Sequence, residues 1–489
     1  MILLLPVLLP IVGGALLGVL PLEERKARSI YVEAVTLLTS VVLFALIFAG
    51  GDYACTAMPM TENLMMKFRM DGLSRVFSAL IAFLWPLATL YGFNYMEHEH
   101  HEKRFFVYYL ISYGVTAAIA NAANLFTMYV CYELLTLATL PLVLHKMDAA
   151  SVHAGRKYLY YSIGGAALAF IGMIFIIIYG VGQTEFVFGG VLDVALAGSR
   201  RNILLLVYVL SFIGFGAKAA VFPMQAWLPQ VGVAPTPVTA LLHAVAVVKA
   251  GAFAVIRATY YSFGTDFLAG TWAQDVAIGL AALTIVYGSA MALKEQHLKR
   301  RLAWSTVSNL SYILLGAALM TQAGLTGALT HMLVHGVVKI TLFFCVGAVM
   351  VRTGQEYVQG TRGFGKLMPI TCGAFALASA ALVGVPPLPG FMSKWNLATA
   401  ASECGAMGVV GLGALIISAI LTACYLFPVV VNMYFRPLNA SLHAAEGANR
   451  DPDWRMTLPF AILCVAIVAL SFTAYPLTNW LSGIAGGLY

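Results

Sequence analysis

The chain has 489 residues, of which 61% are hydrophobic and only 10% are charged, and its net charge is +7. A soluble domain carries roughly a quarter charged residues, so this composition excludes a large water-facing surface. A basic chain could bind nucleic acid, but basic residues that anchor cytoplasmic helix ends explain the charge better, and we expect no nucleic-acid partner.

Apolar stretches of ~20 residues, enough to cross a bilayer, recur along the whole chain. We predict an all-α membrane protein of about fourteen transmembrane helices. The first segment lacks the basic start of a secretory signal, and we expect it to be retained. The first eight predicted helices are near Ile2–Leu20, Ile30–Ala49, Leu73–Phe93, Phe105–Ala122, Leu125–Leu144, Tyr158–Val181, Ile203–Phe222 and Val238–Tyr260. The other six are near Trp272–Leu293, Leu302–Met320, Leu325–Met350, Ile370–Thr399, Met407–Met433 and Leu458–Leu481.

Lysine and arginine are distributed unevenly between alternate loops. The loops after odd-numbered predicted helices hold eighteen of them, and the other loops with their helix ends hold six. Because basic residues favour cytoplasmic loops, we expect the odd-numbered loops in the cytoplasm and both termini outside, in the inner membrane of the cell. The six are Lys67, Arg69, Arg75, Arg200, Arg201 and Arg257.

Four lysines remain inside predicted helices, and Glu133 is the only acid clearly at mid-helix. A lysine at the bilayer centre costs ~3 kcal/mol even on a lenient scale. One such residue could be a structural ion-pair partner, but five together indicate a transport function. Burial destabilises the charged forms of lysine and glutamate and a nearby opposite charge restores them, so a moving partner changes proton affinity. The four are Lys218, Lys249, Lys339 and Lys394.

Prolines predict breaks in the seventh and twelfth helices. Pro223 removes a hydrogen bond to the carbonyl of Ala219, beside Lys218, and the flanking glycines loosen the helix further. Prolines kink many transmembrane helices without any transport function, but two breaks beside buried lysines are typical of a transport site. In the twelfth helix, Pro386, Pro387 and Pro389 precede Lys394.

Three titratable residues, His331, His335 and Lys339, are spaced by four on the eleventh predicted helix. Steps of four advance ~40° each around a helix, so the three lie on one stripe. Histidine titrates near neutral pH, and the stripe predicts a proton relay; zinc binding by the two histidines is an alternative, although no third ligand is evident. His243, six residues before Lys249, lies on another face and is an auxiliary candidate.

Other candidate metal or cofactor motifs are weak. The cluster His98-Glu99-His100-His101-Glu102 lacks the HExxH spacing and is expected to be a solvated turn. The seven cysteines are scattered without a CxxC pair, which argues against zinc, iron–sulfur or disulfide sites. We therefore expect no metal and no cofactor in this chain.

Several stretches resemble the antiporter-like subunits of respiratory complex I, Mrp-type cation antiporters and membrane-bound group 4 hydrogenases. The most specific begins at Lys218 with Lys-Ala-Ala-Val-Phe-Pro-Met-Gln-Ala-Trp-Leu-Pro and continues to Gly251. The resemblance covers roughly residues 70 to 400. The other matching stretches are Met70–Leu73, Leu298–Asn309, His331–Lys339 and Gly384–Lys394.

The resemblance implies two inverted repeats of five helices, the fourth to eighth and the ninth to thirteenth. The single membrane domain, 1–489, would then comprise N-terminal helices (1–104), a first repeat (105–260), a second repeat (272–433) and a C-terminal helix (455–489). The resemblance also implies that Glu133 pairs with Lys218, and that the remaining groups form a polar axis along the membrane centre. Those groups are Lys249, His331, His335, Lys339 and Lys394.

The sequence departs from the family pattern at a few points. Gln225 stands where a histidine is common, and the turn Leu228–Pro235 is shorter than in classical complex I subunits and closer to Mrp-type and some hydrogenase-type members. The long lateral C-terminal helix of the largest complex I subunit is also not expected, because the chain stops soon after the fourteenth predicted helix.

The leading hypothesis is a proton-translocating subunit of a redox-driven complex, either a complex I-like NADH/quinone oxidoreductase or a group 4 hydrogenase. The chain has no catalytic centre of its own, so oxidoreductase activity would belong to its partners. Those partners are other membrane subunits, including related antiporter-like ones, with peripheral redox subunits reached indirectly. Two alternatives remain, an inert scaffold and a subunit of a Mrp-type sodium/proton antiporter. The host complex, the electron donor and acceptor, and the coupling ion stay open.

Overall fold

The computed structural model describes residues 1–61, 64–180, 184–438 and 450–487, and nearly all of their regular structure is helical. A helix satisfies its own backbone hydrogen bonds, which a bilayer interior demands. Within these ranges, ten helices are long and apolar enough to cross a membrane. Two shorter apolar helices accompany them, Arg201–Gly216 and Pro369–Val383. The prediction of a multi-pass helical membrane protein is confirmed.

The helices are numbered in chain order. The first are α1 (Leu5–Val19), α2 (Arg25–Ala49), α3 (Gly72–Tyr95), α4 (Glu102–Ala120), α5 (Leu125–Val143) and α6 (Ala149–Tyr179). The middle ones are α7 (Val194–Gly198), α8 (Arg201–Gly216), α9 (Thr236–Ala244), α10 (Val247–Ile256), α11 (Thr265–Leu268), α12 (Trp272–Lys294) and α13 (Leu298–Ala318). The last are α14 (Gln322–Thr353), α15 (Phe364–Leu367), α16 (Pro369–Val383), α17 (Pro389–Ser402), α18 (Gly405–Phe435), α19 (Trp454–Phe472) and α20 (Ala474–Ala485).

A short antiparallel hairpin, β1 (Ala54–Pro59) and β2 (Met65–Arg69), connects α2 to α3 and was not expected from the sequence. Its second strand is fixed to the helices behind it. The amide of Arg69 donates to the carbonyl of Asn121 at 2.8 Å, and the side chain of Asn124 donates to the carbonyl of Met65 at 2.8 Å. The hairpin therefore satisfies polar groups between the end of α4 and the start of α5.

The most buried helices lie at the centre of the molecule. The most apolar 18-residue window of Thr236–Phe263 is 100% buried and that of Gln322–Thr353 is 89% buried, whereas in α2 and α19 the corresponding values are 33% and 28%. Peripheral helices present apolar side chains such as Val41 and Val465 outward, as a lipid-facing surface requires. The titratable residues discussed below lie on or beside the central helices.

The seventh predicted helix, Ile203–Phe222, ends earlier than expected. α8 stops at Gly216, and the chain then turns at Ala220, whose φ is 58°. The sequence predicts a break here from the N–H that Pro223 lacks, which would free the carbonyl of Ala219, and from the flanking glycines. The break begins before that point because glycine weakens the helix directly ahead of it.

The eighth predicted helix, Val238–Tyr260, is not continuous. The carbonyl of Leu241 accepts from the amides of both Val245 (2.9 Å) and Ala246 (2.8 Å), so the hydrogen-bond ladder slips by one residue between α9 and α10. A π-helical turn, Arg257–Phe263, then extends α10. No proline or glycine marks the slip, which is why the sequence did not predict it.

The break in the twelfth predicted helix, Ile370–Thr399, is confirmed. α16 ends at Val383 and α17 begins at Pro389, so residues 384–388 form a non-helical connection. Gly384 adopts φ 92°, a conformation that other residues rarely take.

Candidate functional site

Glu133 and Lys218 lie close together at the end of α8. Lys218 occupies the non-helical turn after Gly216, and its Nζ is 3.8 Å from Oε1 of Glu133 on α5. The ammonium also donates to the backbone carbonyl of Tyr132 and lies 3.4 Å from the centre of that ring. Its side chain is fully buried, while that of Glu133 is 30% exposed. The pairing that the family resemblance implied is present in the structure.

A glycine brings the turn that holds Lys218 against α10. A Cβ built on Gly251 would lie 2.5 Å from the amide nitrogen of Ala219 and 2.9 Å from Cβ of Lys218. Only glycine allows this approach, and Gly251 follows Lys249 by two positions. The close packing therefore places Lys218 beside α10, the helix that carries Lys249.

Lys249 and His335 are in direct contact. Lys249 lies in the first turn of α10, just after the slip at Val245 and Ala246, and its Nζ is 2.6 Å from Nδ1 of His335 on α14. Both residues are completely buried. An ammonium donating to a neutral imidazole explains this contact.

The stripe predicted on α14 faces a second polar stripe on α13. The ring of His331 lies 5.7 Å from that of His335 and 5.0 Å from that of Tyr312. At the other end of the stripe, Nζ of Lys339 donates to Oγ of Ser305 at 2.7 Å. The two helices run in opposite directions, so successive turns of one stripe meet successive turns of the other.

Lys394 lies beside the end of the α14 stripe that carries His331. Nδ1 of His331 lies 3.0 Å from Oγ of Ser393, the residue before Lys394. The ammonium of Lys394 donates to the carbonyls of Leu382 (2.8 Å) and Val383 (2.9 Å), which the end of α16 leaves without helical partners. The break thus leaves two carbonyls free to accept hydrogen bonds from the lysine itself.

Seven predicted residues thus lie on adjacent elements in the interior of the protein, and we call them the buried row: Glu133, Lys218, Lys249, His335, His331, Lys339 and Lys394. His243, the auxiliary candidate, does not hydrogen-bond to it. Its ring stacks on Phe343 at 4.8 Å, and neither ring nitrogen has a hydrogen-bond partner within the described residues. Direct polar contacts within the row join Glu133 to Lys218 and Lys249 to His335. A group of buried bases of this kind can hold and transfer protons.

An ion pair at the start of α3 was not expected from the sequence. Asp71 receives two hydrogen bonds from the guanidinium of Arg257, at 2.6 and 2.7 Å, and caps α3 by accepting from the amide of Ser74. Burial alone would raise the pKa of Asp71, but Arg257 and Ser74 lower it to about 2. Arg257 was counted with the residues of loops and helix ends; it is in fact fully buried among Phe186 and other aromatic rings.

Two further polar groups were also missed. Ser305 contacts Lys339, and the hydroxyl of Tyr425 on α18 donates to Ser305 at 2.6 Å. The apolar sequence around Tyr425 gives no signal, whereas the Ser- and Asn-rich run of α13 could have indicated a polar face. A further acid, Glu33, lies inside α2, and its Oε2 is buried without a hydrogen-bond partner among the described residues.

The acids of the His98–Glu102 cluster form ion pairs with other segments. Glu99 lies 3.1 Å from Lys146, and Glu102 lies 2.6 Å from Arg28. In the described ranges, no three His, Cys, Asp or Glu side chains are grouped so that they could hold a metal ion. The cluster connects the ends of several helices.

Comparison with known families covers most of the chain. Residues 122–422 match the family described as NADH:quinone oxidoreductase/Mrp antiporter, TM. Residues 58–106 match the family described as NADH-Ubiquinone oxidoreductase (complex I), chain 5 N-terminus. The first match contains every member of the buried row.

Curated relatives come from three kinds of complex. NADH-quinone oxidoreductase subunit N of Desulforudis audaxviator is 33% identical over 417 residues, covering 82% of this chain and 81% of the relative. A probable K(+)/H(+) antiporter component of Rhizobium meliloti is 34% identical, covering 79% of this chain but only 38% of that longer protein. Hydrogenase-4 component B of Escherichia coli is 30% identical, covering 89% and 69%.

Solved structures share the fold. A chain of the archaeal membrane-bound sulfane sulfur reductase superposes with a TM-score of 0.85 at 21% identity, covering 99% of this chain and 96% of that one. A chain of the Dietzia Mrp complex gives 0.84 at 22% identity, covering 99% and 52%. A chain of Thermus thermophilus respiratory complex I gives 0.81 at 22%, covering 99% and 98%. From the family match and the curated relatives, the chain belongs to the family of antiporter-like membrane subunits shared by complex I, Mrp antiporters and hydrogenase-4/MBS complexes.

Proposed function

We propose that this protein translocates protons as a membrane subunit of a redox-driven complex, of the complex I-like or group 4 hydrogenase type. The observation that carries the proposal is the buried row, above all the 2.6 Å contact that joins Lys249 to His335 across two helices. Four lysines in a membrane interior impose a large desolvation cost, and proton transfer is the function that uses them.

The row suggests an order of transfer. Protons would be taken up at the Glu133–Lys218 pair, where the partly exposed carboxylate lies beside a buried amine. They would then pass through Lys249 and the α14 stripe toward Lys394. When the carboxylate of Glu133 moves away from Lys218, the ammonium loses its counter-charge and releases its proton.

The two breaks in α8–α9 and α16–α17 fit the inverted repeats that the family resemblance implies. Each break lies beside a lysine of the row, Lys218 in the first and Lys394 in the second. We propose that the two lysines have corresponding positions in the repeats and act in series.

Other antiporter-like subunits and peripheral redox subunits are the proposed partners, because the related structures are subunits of multi-subunit membrane complexes. The test is to purify the complex in mild detergent, identify its subunits and reconstitute it in vesicles. We expect iron–sulfur or [NiFe] subunits to co-purify, and electron transfer to drive proton uptake into the vesicles.

The second candidate is a subunit of a Mrp-type sodium/proton antiporter. It is favoured by the 34% identity to the Rhizobium meliloti antiporter component and by the short turn Leu228–Pro235. The same vesicles distinguish the two. A complex of membrane subunits alone that exchanges sodium for protons without an electron donor would replace the first proposal with this one.

A further inference from the structure

Lys339 has two hydrogen-bond partners of different chemical character. Its Nζ donates to the backbone carbonyl of Leu302 at 2.9 Å and to the hydroxyl of Ser305 at 2.7 Å. All three groups are buried. A carbonyl can only accept a hydrogen bond, whereas a hydroxyl can accept one and donate one.

This difference matters when Lys339 gives up a proton. The ammonium has three donors, but the neutral amine also has a lone pair, which needs a donor when it is buried. The carbonyl of Leu302 cannot supply that donor. The hydroxyl of Ser305 can, by rotating its hydrogen toward Nζ.

Tyr425 supplies the hydrogen bond that Ser305 accepts when the hydroxyl of Ser305 donates to the neutral amine of Lys339. Its hydroxyl donates to Oγ of Ser305 at 2.6 Å, so Ser305 can accept from Tyr425 while it donates to the neutral amine. A chain in which each hydroxyl accepts one bond and donates the next is mutually strengthening. Arg301 fixes the position of the tyrosine by donating to its backbone carbonyl at 2.8 Å.

The two lysines at the ends of the buried row have different surroundings. Within the described residues, the hydrogen bonds of Lys394 go to the two carbonyls named above. Lys218 donates to the carbonyl of Tyr132 and forms an ion pair with the carboxylate of Glu133 at 3.8 Å. Carbonyls and an ionised carboxylate only accept, and so favour the ammonium. The end lysines are therefore surrounded by groups that retain a proton, and Lys339 by groups that allow its release.

We propose that Ser305, supported by Tyr425, is a positioning residue that allows Lys339 to become a neutral amine during proton transfer. In the step, Lys339 passes one proton to a neutral base of the row, such as the imidazole of His335 when Lys249 is itself neutral, and keeps its other two amine hydrogens. Ser305 changes from acceptor to donor, and no covalent bond other than N–H changes. This inference rests on the proposed function of the row.

The test compares Ser305→Thr with Ser305→Val in the purified complex reconstituted in vesicles. The two side chains have the same size and shape, so any packing disturbance is common to both and only the hydroxyl differs. We expect the threonine variant to transport protons about tenfold faster than the valine variant, which corresponds to one hydrogen bond of ordinary strength. Tyr425→Phe should lower transport in the same direction and should have little further effect when combined with Ser305→Val.

A matched control lies away from the row, where Tyr113 and Ser40 form a similar hydroxyl pair at 2.7 Å. Tyr113→Phe should leave transport unchanged. Equal transport by the threonine and valine variants, or equal effects of Tyr425→Phe and Tyr113→Phe, would refute the positioning role. Lys339→Ala separates this result from the proposed function. Full transport in that variant would remove Lys339 from the pathway. Transport that is lost in Lys339→Ala but kept in Ser305→Val would refute only the inference about Ser305.

Discussion

Nζ of Lys249 and Nδ1 of His335 are 2.6 Å apart, although the residues are 86 positions apart in the chain. At this distance the lysine and the imidazole cannot both be charged, because two like charges in a buried site repel strongly. The pair therefore carries at most one positive charge. Lys249 lies on α10 and His335 on α14, so the contact joins the two helices that carry the middle of the row.

His335→Gln should lower proton transport about tenfold or more, because glutamine accepts a hydrogen bond from Lys249 but cannot take up its proton. Proton uptake by vesicles that contain the purified complex measures the effect. His145→Gln is the control, since His145 is a buried histidine outside the row that contacts the carbonyl of His100 at 2.8 Å. Unchanged transport in His335→Gln would remove this histidine from the proton pathway.

Glu133→Gln should largely abolish transport while the complex still assembles. The amide keeps the size of the side chain but removes the negative charge 3.8 Å from Lys218, and with it the group that modulates the lysine. Subunit composition after purification checks assembly, and Glu23→Gln, at an exposed acid, is the control. Transport at the wild-type rate in well-assembled Glu133→Gln complexes would contradict the prediction.

Lys394 is predicted to carry protons rather than only a fixed charge. Lys394→Ala should stop net transport. Lys394→Arg should also fail, because arginine keeps a positive charge beside the carbonyls of Leu382 and Val383 but does not release its proton. Lys394→Glu should keep partial activity as a titratable group. Proton flux and sodium flux are measured for all three. Full flux with arginine would assign Lys394 an electrostatic role and move the carrier role to the α14 histidines.

The loops Glu97–Lys103 and Leu298–Arg301 are predicted to face the cytoplasm. In a cysteine-free variant, His98→Cys and Arg300→Cys introduce thiols at exposed positions of these loops. A membrane-impermeant maleimide added to intact cells should label neither, and should label both after the cells are opened. Ser199→Cys, in a loop predicted to be outside, is the positive control. Labelling of either cytoplasmic position in intact cells would invert the topology.

Asp71→Asn should destabilise the protein by about 3–5 kcal/mol, because it leaves the buried guanidinium of Arg257 without a counter-charge. Thermal unfolding of the purified complex measures the loss, with Asp52→Asn as an exposed control. Since the pKa of Asp71 is lowered to about 2, its contribution is fully present above about pH 4 and is lost only as the pH falls toward 2. Equal melting temperatures for the two variants would show that the pair is dispensable.

The family, the membrane class and most helix positions could be predicted from the sequence, because long apolar runs and the lysine motifs are local signals. The break before Lys394 was predictable for the same reason, since its prolines are visible in the chain. The side-chain contacts that members of the buried row make with other helices could not be predicted from residue spacing along the sequence. Lys339 meets Ser305 through helix packing, which no local pattern encodes.

The slip between α9 and α10 was missed because its cause is tertiary. Nothing in the segment around Val245 discourages a regular helix, and the extra amide is accepted by the carbonyl of Leu241. Arg257 was misplaced for a related reason. Its partner Asp71 is 186 positions away, so no local pattern indicated that the charge could be buried.

The buried row contains many bases and, among the described residues, a single carboxylate, that of Glu133. Charges as close as His331 and His335, whose rings are 5.7 Å apart, repel one another by several kcal/mol at an effective dielectric of about 20. Charging both imidazoles at the same time is therefore unfavourable, and the row holds fewer excess protons than it has titratable groups. In the proposed transport, a proton that enters at one end would raise the energy of the protons already present, and this repulsion would favour release at the other end.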